Sequence, residues 1–236
     1  MQPLPQAPDL DWRDGIPVSR AFDDPYFSLA GGLEETRHVF LTGNRLEERL
    51  RDGFHIAELG FGTGLNLLAV ALLWQRMGAP GTLRFTSFEA FPMTAEDMAR
   101  AHAAFPEVAA ISAGLLRQWD AGAAEIALPG MRLTLIPGDA RDTLPRWPEQ
   151  AEAWFLDGFS PAKNPELWSP ELMAEVARHT APGGSFATYT AAGAVRRALS
   201  EAGFTVTRLP GYARKRHMTA GWDVGVNKDE RHSWKG

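Results

Sequence analysis

The 236-residue sequence contains no cysteine, which excludes disulfides, thiolate zinc sites and cysteine nucleophiles. No metal site is expected from the remaining residues. Long apolar runs are also missing: the longest stretch, Leu65 to Trp74 with Asn66 inside it, falls well short of the ~20 residues that span a bilayer. The opening residues, MQPLPQAPDLDW, are polar and proline-rich with no apolar h-region, so no secretory leader is expected there. Repeats and low-complexity segments are absent. Together these absences predict a cytoplasmic protein that does not associate with membranes.

What is present bounds the fold. At 44% hydrophobic residues, a chain of this length can bury a full core, and one α/β domain is the expected solution. The net charge of −5 argues against a polyanionic partner on average, but the charge is uneven. Residues 1–60 hold eleven acidic and six basic side chains, whereas residues 195–217 hold Arg196, Arg197, Arg208, Arg214, Lys215 and Arg216 against Glu201 alone. A local basic run decides where a polyanion can dock, although such runs also serve as solvated faces.

Residues 1–53 show little periodicity, except in GLEETRHVFLTGNRLEERL, which predicts two short helices broken at Thr42-Gly43-Asn44. This region is read as an N-terminal extension packed on a core formed by residues 54–236. From residue 54, strand and helix signals alternate. FHIAELG, LRFTSFEA, MRLTLIPGD, EAWFLDGF and SFATYT predict strands. The intervening helices are expected over Leu65–Met77, over Thr94–Phe105 capped by Thr94, over Pro170–His179 ending at APGG, and over Ala192–Ala202. FTVTRLP and RHMTAGWD close the chain as an antiparallel pair. Alternating βα units imply a Rossmann-like, mostly parallel sheet with helices on both faces, and ligands in such sheets bind at the carboxyl ends of the strands.

The marked residues fall at those ends. Gly60, Gly62 and Gly64 form G-x-G-x-G between a strand and a helix, where backbone N–H groups and the helix dipole suit an anionic group. A dinucleotide fingerprint would need Gly or Ala at position 65. Leu65 stands there instead, which fits the methionine end of S-adenosylmethionine better than a pyrophosphate. Close helix–strand packing is the structural alternative. Glu89 ends the second strand, where a carboxylate can bond two ribose hydroxyls. Asp139 ends the third and can accept from an adenine amino group. The fourth strand ends on Asp157, after which Gly158 and Pro161 stiffen a loop bearing Phe159, Ser160, Lys163 and Asn164. Asp157 is either a site residue or the cap of the next segment.

The strings FDDPYFS, GLEETRHVFLTGN, AELGFGTGLN, WFLDGFSPAKNPELW, APGGSFATYTAAGAVRRAL and GYARKRHM together resemble the methyltransferase domain of the MnmC family, bacterial tRNA 5-methylaminomethyl-2-thiouridine biosynthesis proteins. The resemblance covers residues 10–222; DGF-x-PAKNP is its specific part and the glycine turn is not. It implies a class I S-adenosylmethionine-dependent methyltransferase that methylates the 5-aminomethyl group of wobble (2-thio)uridine in tRNA. By matching motif it implies cofactor contacts from Glu58, Gly60, Gly62, Gly64, Asn66, Glu89 and Asp139. Asp157 would lie nearest the chemistry, with Phe159, Lys163 and Asn164 toward the substrate. Two departures stand out: Ala90 replaces an expected lysine, and the FAD-dependent oxidase domain of bifunctional members lies beyond the length of this sequence. A stand-alone form would need a separate oxidase or other wobble-uridine enzymes to supply its substrate.

The basic run Arg196, Arg197, Arg214, Lys215 and Arg216 is then expected to hold the anticodon stem-loop, with His217 beside it. Trp168 is the tryptophan expected nearest the site. An alkylamine has a pKa of about 10, so the nucleophile arrives protonated and a nearby carboxylate raises that value further. Asp157 is therefore an orienting acceptor rather than a strong base. A small-molecule N-methyltransferase would share every cofactor argument, and a basic surface beside the cleft disfavours it. The residues also admit a non-catalytic S-adenosylmethionine-binding module or a nicotinamide oxidoreductase, and the Leu65 spacing weighs against the oxidoreductase.

Overall fold

The computed structural model describes residues 7–28, 31–119 and 125–223. The first six residues of the polar N-terminal stretch, and residues 224–236 of the region read as the core domain, lie outside the described residues. The chain opens with β1 (Leu10–Arg13) and β2 (Ile16–Ser19), paired antiparallel. Asp14 and Gly15 join them at φ +50° and +80°, the two left-handed residues that a tight hairpin twist requires. The two-residue strand β3 (Asp24–Pro25) completes this small sheet. Helix α1 (Gly32–Thr36) runs into a π-helical turn over Arg37–Thr42, and α2 (Leu46–Arg49) follows the break at residues 43–45.

The main sheet has eight strands. Between β4 (His55–Leu59) and β5 (Leu83–Glu89) lies α3 (Leu65–Met77). Helices α4 (Ala95–His102) and α5 (Ala109–Gln118) precede β6 (Glu125–Leu128) and β7 (Met131–Pro137). Then come α6 (Ala140–Thr143), β8 (Ala151–Leu156), α7 (Pro170–Arg178), β9 (Thr180–Thr188), α8 (Gly193–Glu201), β10 (Phe204–Pro210) and β11 (His217–Asp223). The spatial order is β10-β11-β9-β8-β4-β5-β7-β6. The five strands β9, β8, β4, β5 and β7 run parallel, while β11 pairs antiparallel with both β9 and β10, and β6 antiparallel with β7.

The chain first builds outward from β4 through β5 to β7, then returns to build through β8 and β9. The strand order therefore reverses between β4 and β8, and a crevice opens at their carboxyl ends. Period-two alternation sends Ile56, Phe85 and Phe155 to one face, under α3, α5 and the N-terminal Leu33 and Phe40. Ala57, Phe88 and Trp154 go to the other, under α7 and α8. The same alternation turns Glu58, Glu89 and Asp157 toward the α3 face.

Two sequence expectations differ from the structure, and two elements were not expected. APGG does not separate a helix from a strand but lies inside β9, where Gly183 at φ +72° and a register shift opposite Ala151–Ala153 let the strand begin earlier. The helix expected to reach Phe105 stops at His102, because Pro106 starts a separate 3₁₀ turn. Helix α5 and strand β6 had no clear sequence signal.

Candidate active site

The glycine turn between β4 and α3 is built on left-handed backbone: Gly60, Gly62 and Gly64 have φ of +83°, +54° and +77°. A Cβ at Gly60 would stand 3.1 Å from the Asp157 carbonyl oxygen, so this glycine lets the turn lie against the loop after β8. The turn does not present its glycine N–H groups as an anion cradle. Gly60 N–H donates to Phe88 O (2.9 Å), Gly62 N–H to Glu89 Oε2 (2.9 Å) and Gly64 N–H to Phe61 O (2.8 Å). The glycines supply close approach, and the charge of the crevice is negative. His102 braces the turn from behind, its Nε2–H donating to Thr63 O at 2.7 Å, with Nδ1 facing Ser112 Oγ at 2.7 Å. Burial lowers the His102 pKa, and the hydrogen bond to the Thr63 carbonyl opposes that shift.

Glu89 accepts from Gly62 N–H and, at 2.7 Å, from Phe91 N–H. Glu89 lines the crevice, and the Phe61 and Ala90 backbone N–H groups also act on its carboxylate. Burial raises its pKa, and the backbone donors oppose that rise.

Asp157 is the centre of a buried network. Asn66, in the first turn of α3, donates to Asp157 Oδ2 (2.8 Å) and to Glu58 Oε1 (2.8 Å), and accepts from Thr36 Oγ1 (2.9 Å). Ser87 Oγ donates to Glu58 Oε2 at 2.7 Å. Asp157 Oδ1 accepts from Gly158 N–H at 2.8 Å. Burial pushes the Asp157 pKa up to about 6, against the hydrogen bonds from Asn66 and Gly158. Glu58 has no exposed surface, and its pKa is raised well above the usual carboxylate range by burial. Its carboxylate fixes the Asn66 amide that holds Asp157.

A crevice of about 1040 Å³ unites these groups. Its wall includes Gly60, Gly62, Asn66, Glu89, Asp139, Asp157, Phe159 and Asn164, all expected site residues. Asp139 reaches it while clamped: its carboxylate caps α6 through Arg141 N–H (2.8 Å) and pairs with the Arg141 guanidinium (2.6 Å), which holds its pKa low. Gly64 and Glu58 lie behind the wall. Lys163 does not line the crevice either: its ammonium is bonded to the Asp23 carbonyl and lies 3.5 Å from Asp24 Oδ1. Of the basic run, Arg214 and Lys215 reach the crevice and Arg196, Arg197 and Arg216 do not. Arg196 is half-buried with its Nε enclosed, because its turn of α8 packs on the sheet. Trp168 is buried behind the loop and donates to Phe159 O at 2.8 Å.

Several site residues carry no sequence signal of their own. Phe22 stacks on Phe159 at 4.6 Å and 23°, and Tyr26 meets the same ring edge-on at 5.0 Å. Tyr189 donates to Gly158 O at 2.8 Å. Lys215 Nζ lies 2.7 Å from Glu35 Oε1 and 4.3 Å from the centre of the Tyr189 ring. Phe22, Tyr26, Glu35 and Tyr189 sit in the strings that carry the family resemblance, which is where a signal could have been found.

The residues fit a sulfonium cofactor. Uncovered glycine backbone, a ribose-competent carboxylate at the next strand end and three acids, Glu35, Glu89 and Asp157, around one space suit a cationic nucleoside better than a phosphate. Among the described residues, no cluster of three His, Asp or Glu side chains is placed to hold a metal ion, and no helix is long and apolar enough to cross a membrane.

A model of the family described as S-adenosyl-L-methionine-dependent methyltransferase matches residues 106–224. Among curated proteins, the chain is 51% identical over 241 residues to the tRNA 5-methylaminomethyl-2-thiouridine biosynthesis bifunctional protein MnmC of Pseudomonas paraeruginosa, a match covering 97% of this chain and 37% of that protein. The protein of the same name from Chromobacterium violaceum is 49% identical over 227 residues, covering 90% and 34%. The chain thus spans little more than a third of the length of these relatives. Among solved structures, MnmC2 from Aquifex aeolicus matches with a TM-score of 0.72 at 26% identity, over 92% of this chain and 70% of that one. A methyltransferase from Pyrococcus furiosus shares the fold, with a TM-score of 0.52 at 14% identity over 93% and 90%.

Proposed function

We propose, for a chain that belongs to the S-adenosyl-L-methionine-dependent methyltransferase family, that its substrate is tRNA and its product the 5-methylaminomethyl group of wobble (2-thio)uridine. The observation that carries this reading is the placement of Asp157. A carboxylate held by α3 through Asn66 stands against the glycine turn, beside an aromatic wall, in a crevice with Arg214 on its rim. That arrangement serves a nitrogen nucleophile on a flat ring carried by a polyanion.

S-adenosylmethionine supplies an electrophilic methyl group on a sulfonium. The chain's own residues supply position. Glu89 is the group for the ribose, the glycine turn would admit the cofactor close to β4, and Asp139 is the group for the adenine amino. Asp157 accepts a hydrogen bond from the substrate amine and aims the nitrogen lone pair, a contribution of orientation rather than of proton abstraction. Phe159, backed by Phe22, offers a face for a base turned out of a single-stranded loop. At a pKa of about 6, Asp157 is a far weaker base than an alkylamine of pKa about 10, so the amine's proton leaves to water before transfer. Partial burial of the crevice favours the neutral amine.

Nucleoside analysis of tRNA from a strain lacking this gene tests the reading. The expected result is loss of the methylaminomethyl nucleoside and accumulation of its aminomethyl precursor. An unchanged nucleoside profile would reject it.

A further inference from the structure

Glu35 lines the crevice from α1, and its side chain is only 11% exposed. Its Oε1 is buried and receives no aligned hydrogen bond, although Lys215 Nζ lies 2.7 Å away. The contact is a close ion pair off the hydrogen-bonding direction. Lys215 comes from the exposed loop 211–216 between β10 and β11, and its side chain is 44% exposed. Its ammonium also lies 4.3 Å from the centre of the Tyr189 ring, within cation–π range, and the Tyr189 hydroxyl donates to the residue that follows Asp157. Both charges act on Asp157 itself, Glu35 raising and Lys215 lowering its proton affinity. One carboxylate and an aromatic ring thus hold one cation, close enough to Asp157 for its charge to be felt there, and that cation ends a long flexible stem on a surface loop.

The end of a lysine side chain is CH2–NH3+. A protonated aminomethyl substituent on uracil is the same chemical group. We propose that Glu35 and the Tyr189 ring, beside Asp157, form a cation site that Lys215 fills in the substrate-free protein and that the substrate's aminomethyl ammonium takes over, displacing Lys215 to solvent. The proposal rests on the aminomethyl-uridine reading above and assigns that reading's substrate selectivity to Glu35. Exchange of one ammonium for another leaves Glu35 paired throughout, so entry never exposes an uncompensated buried charge. A uracil with no amine cannot displace Lys215. One that ends in a carboxylate meets two further carboxylates.

Calorimetry on the full chain saturated with S-adenosylhomocysteine tests this without turnover and without phosphates for Lys215 to contact. The probes are the nucleosides 5-aminomethyluridine and uridine. Wild type is expected to prefer the amine by about tenfold, the size of one charge-assisted contact. Glu35→Gln should abolish most of that preference. Lys215→Met removes the competing cation and should tighten 5-aminomethyluridine several-fold (about 1 kcal/mol) while leaving uridine unchanged. A wild type without preference, a Glu35→Gln variant that keeps it, or a Lys215→Met variant that binds the amine no better would each overturn the proposal. Lys215→Met lies on an exposed loop, so its result decides the matter even if Glu35→Gln does not fold. Binding that follows this pattern in a protein that transfers no methyl group to aminomethyl-uridine tRNA would reject the functional reading and leave the cation site standing.

Discussion

Burial holds the Asp157 carboxyl near a pKa of about 6, well above its ordinary 3.8, and this sets two pH dependences. The native state keeps the Asp157 proton more tightly than the unfolded chain does. Its contribution to stability is therefore fully present below about pH 3.8 and lost as pH rises through about 6, a swing of at most about 3 kcal/mol. For turnover the sign is opposite, because only the ionised carboxylate attracts an ammonium. The kcat/KM of the wild type falls with pH as the amine itself protonates, and is expected to gain a further acid limb with an apparent pKa near 6 from Asp157. Asp157→Asn should lower the neutral-pH value by about 10- to 100-fold, the worth of a hydrogen bond to a charged group, and remove that acid limb. A variant that keeps the limb would assign it to another group. Asp157 was legible in the sequence because it ends a strand beside a stiff, aromatic loop. The Glu35–Lys215 pair beside it was not, because a contact between residues 35 and 215 exists only once the hairpin loop folds over α1.

At the scale of elements, the β4–glycine–α3 unit carries its own instructions. The sequence predicts α3 at Leu65–Met77, the bounds observed, because glycines at φ +77° and +60° close both ends of one apolar run. The role of that turn differs from the sequence expectation in one respect. Its glycine N–H groups do not await a ligand: those of Gly60 and Gly62 are bonded to the β5 end alongside, and that of Gly64 to Phe61 O within the turn. The glycines matter for room. Gly60→Ala combines a left-handed φ with a 3.1 Å approach to the Asp157 carbonyl, and is expected to destabilise the protein by about 1–3 kcal/mol and to weaken S-adenosylmethionine binding. Gly53→Ala is the control: its φ is +74°, but a Cβ there meets nothing within 4 Å. Thermal melts should show both variants destabilised, and calorimetry should show a cofactor defect in Gly60→Ala alone. Equal cofactor binding in the two would mean that the Gly60–Asp157 approach is not part of the site. Helix α5 and strand β6 were not legible in the sequence for a different reason: a four-residue strand at a sheet edge is stabilised mainly by its pairing with β7, which local pattern does not encode.

The whole molecule is acidic, at −5, yet its acids and bases are sorted in space. Glu35, Glu89 and Asp157 face the crevice, whereas Arg214 reaches its rim from the β10–β11 loop. That loop lies at the carboxyl edge of the parallel strands, since Thr219 of β11 pairs with Thr188 at the end of β9. A polyanion that docks there places its base over the crevice and its phosphates on the rim. Replacing Arg214 and Arg216 together by Ala should weaken tRNA binding and flatten the dependence of log K on log salt by roughly 1.5, the loss of about two phosphate contacts. Parallel binding lines for wild type and double variant would move the docking face elsewhere.

The central claim is that this crevice transfers a methyl group to an aminomethyl nitrogen on wobble uridine. Its most direct measurement is incubation of the purified protein with methyl-labelled S-adenosylmethionine and tRNA bearing 5-aminomethyl-2-thiouridine, followed by mass analysis of the released nucleosides. The account requires the label in 5-methylaminomethyl-2-thiouridine, in an amount matching the aminomethyl nucleoside consumed. Unlabelled tRNA from a protein that demonstrably binds the cofactor, or label in any other nucleoside, would contradict it.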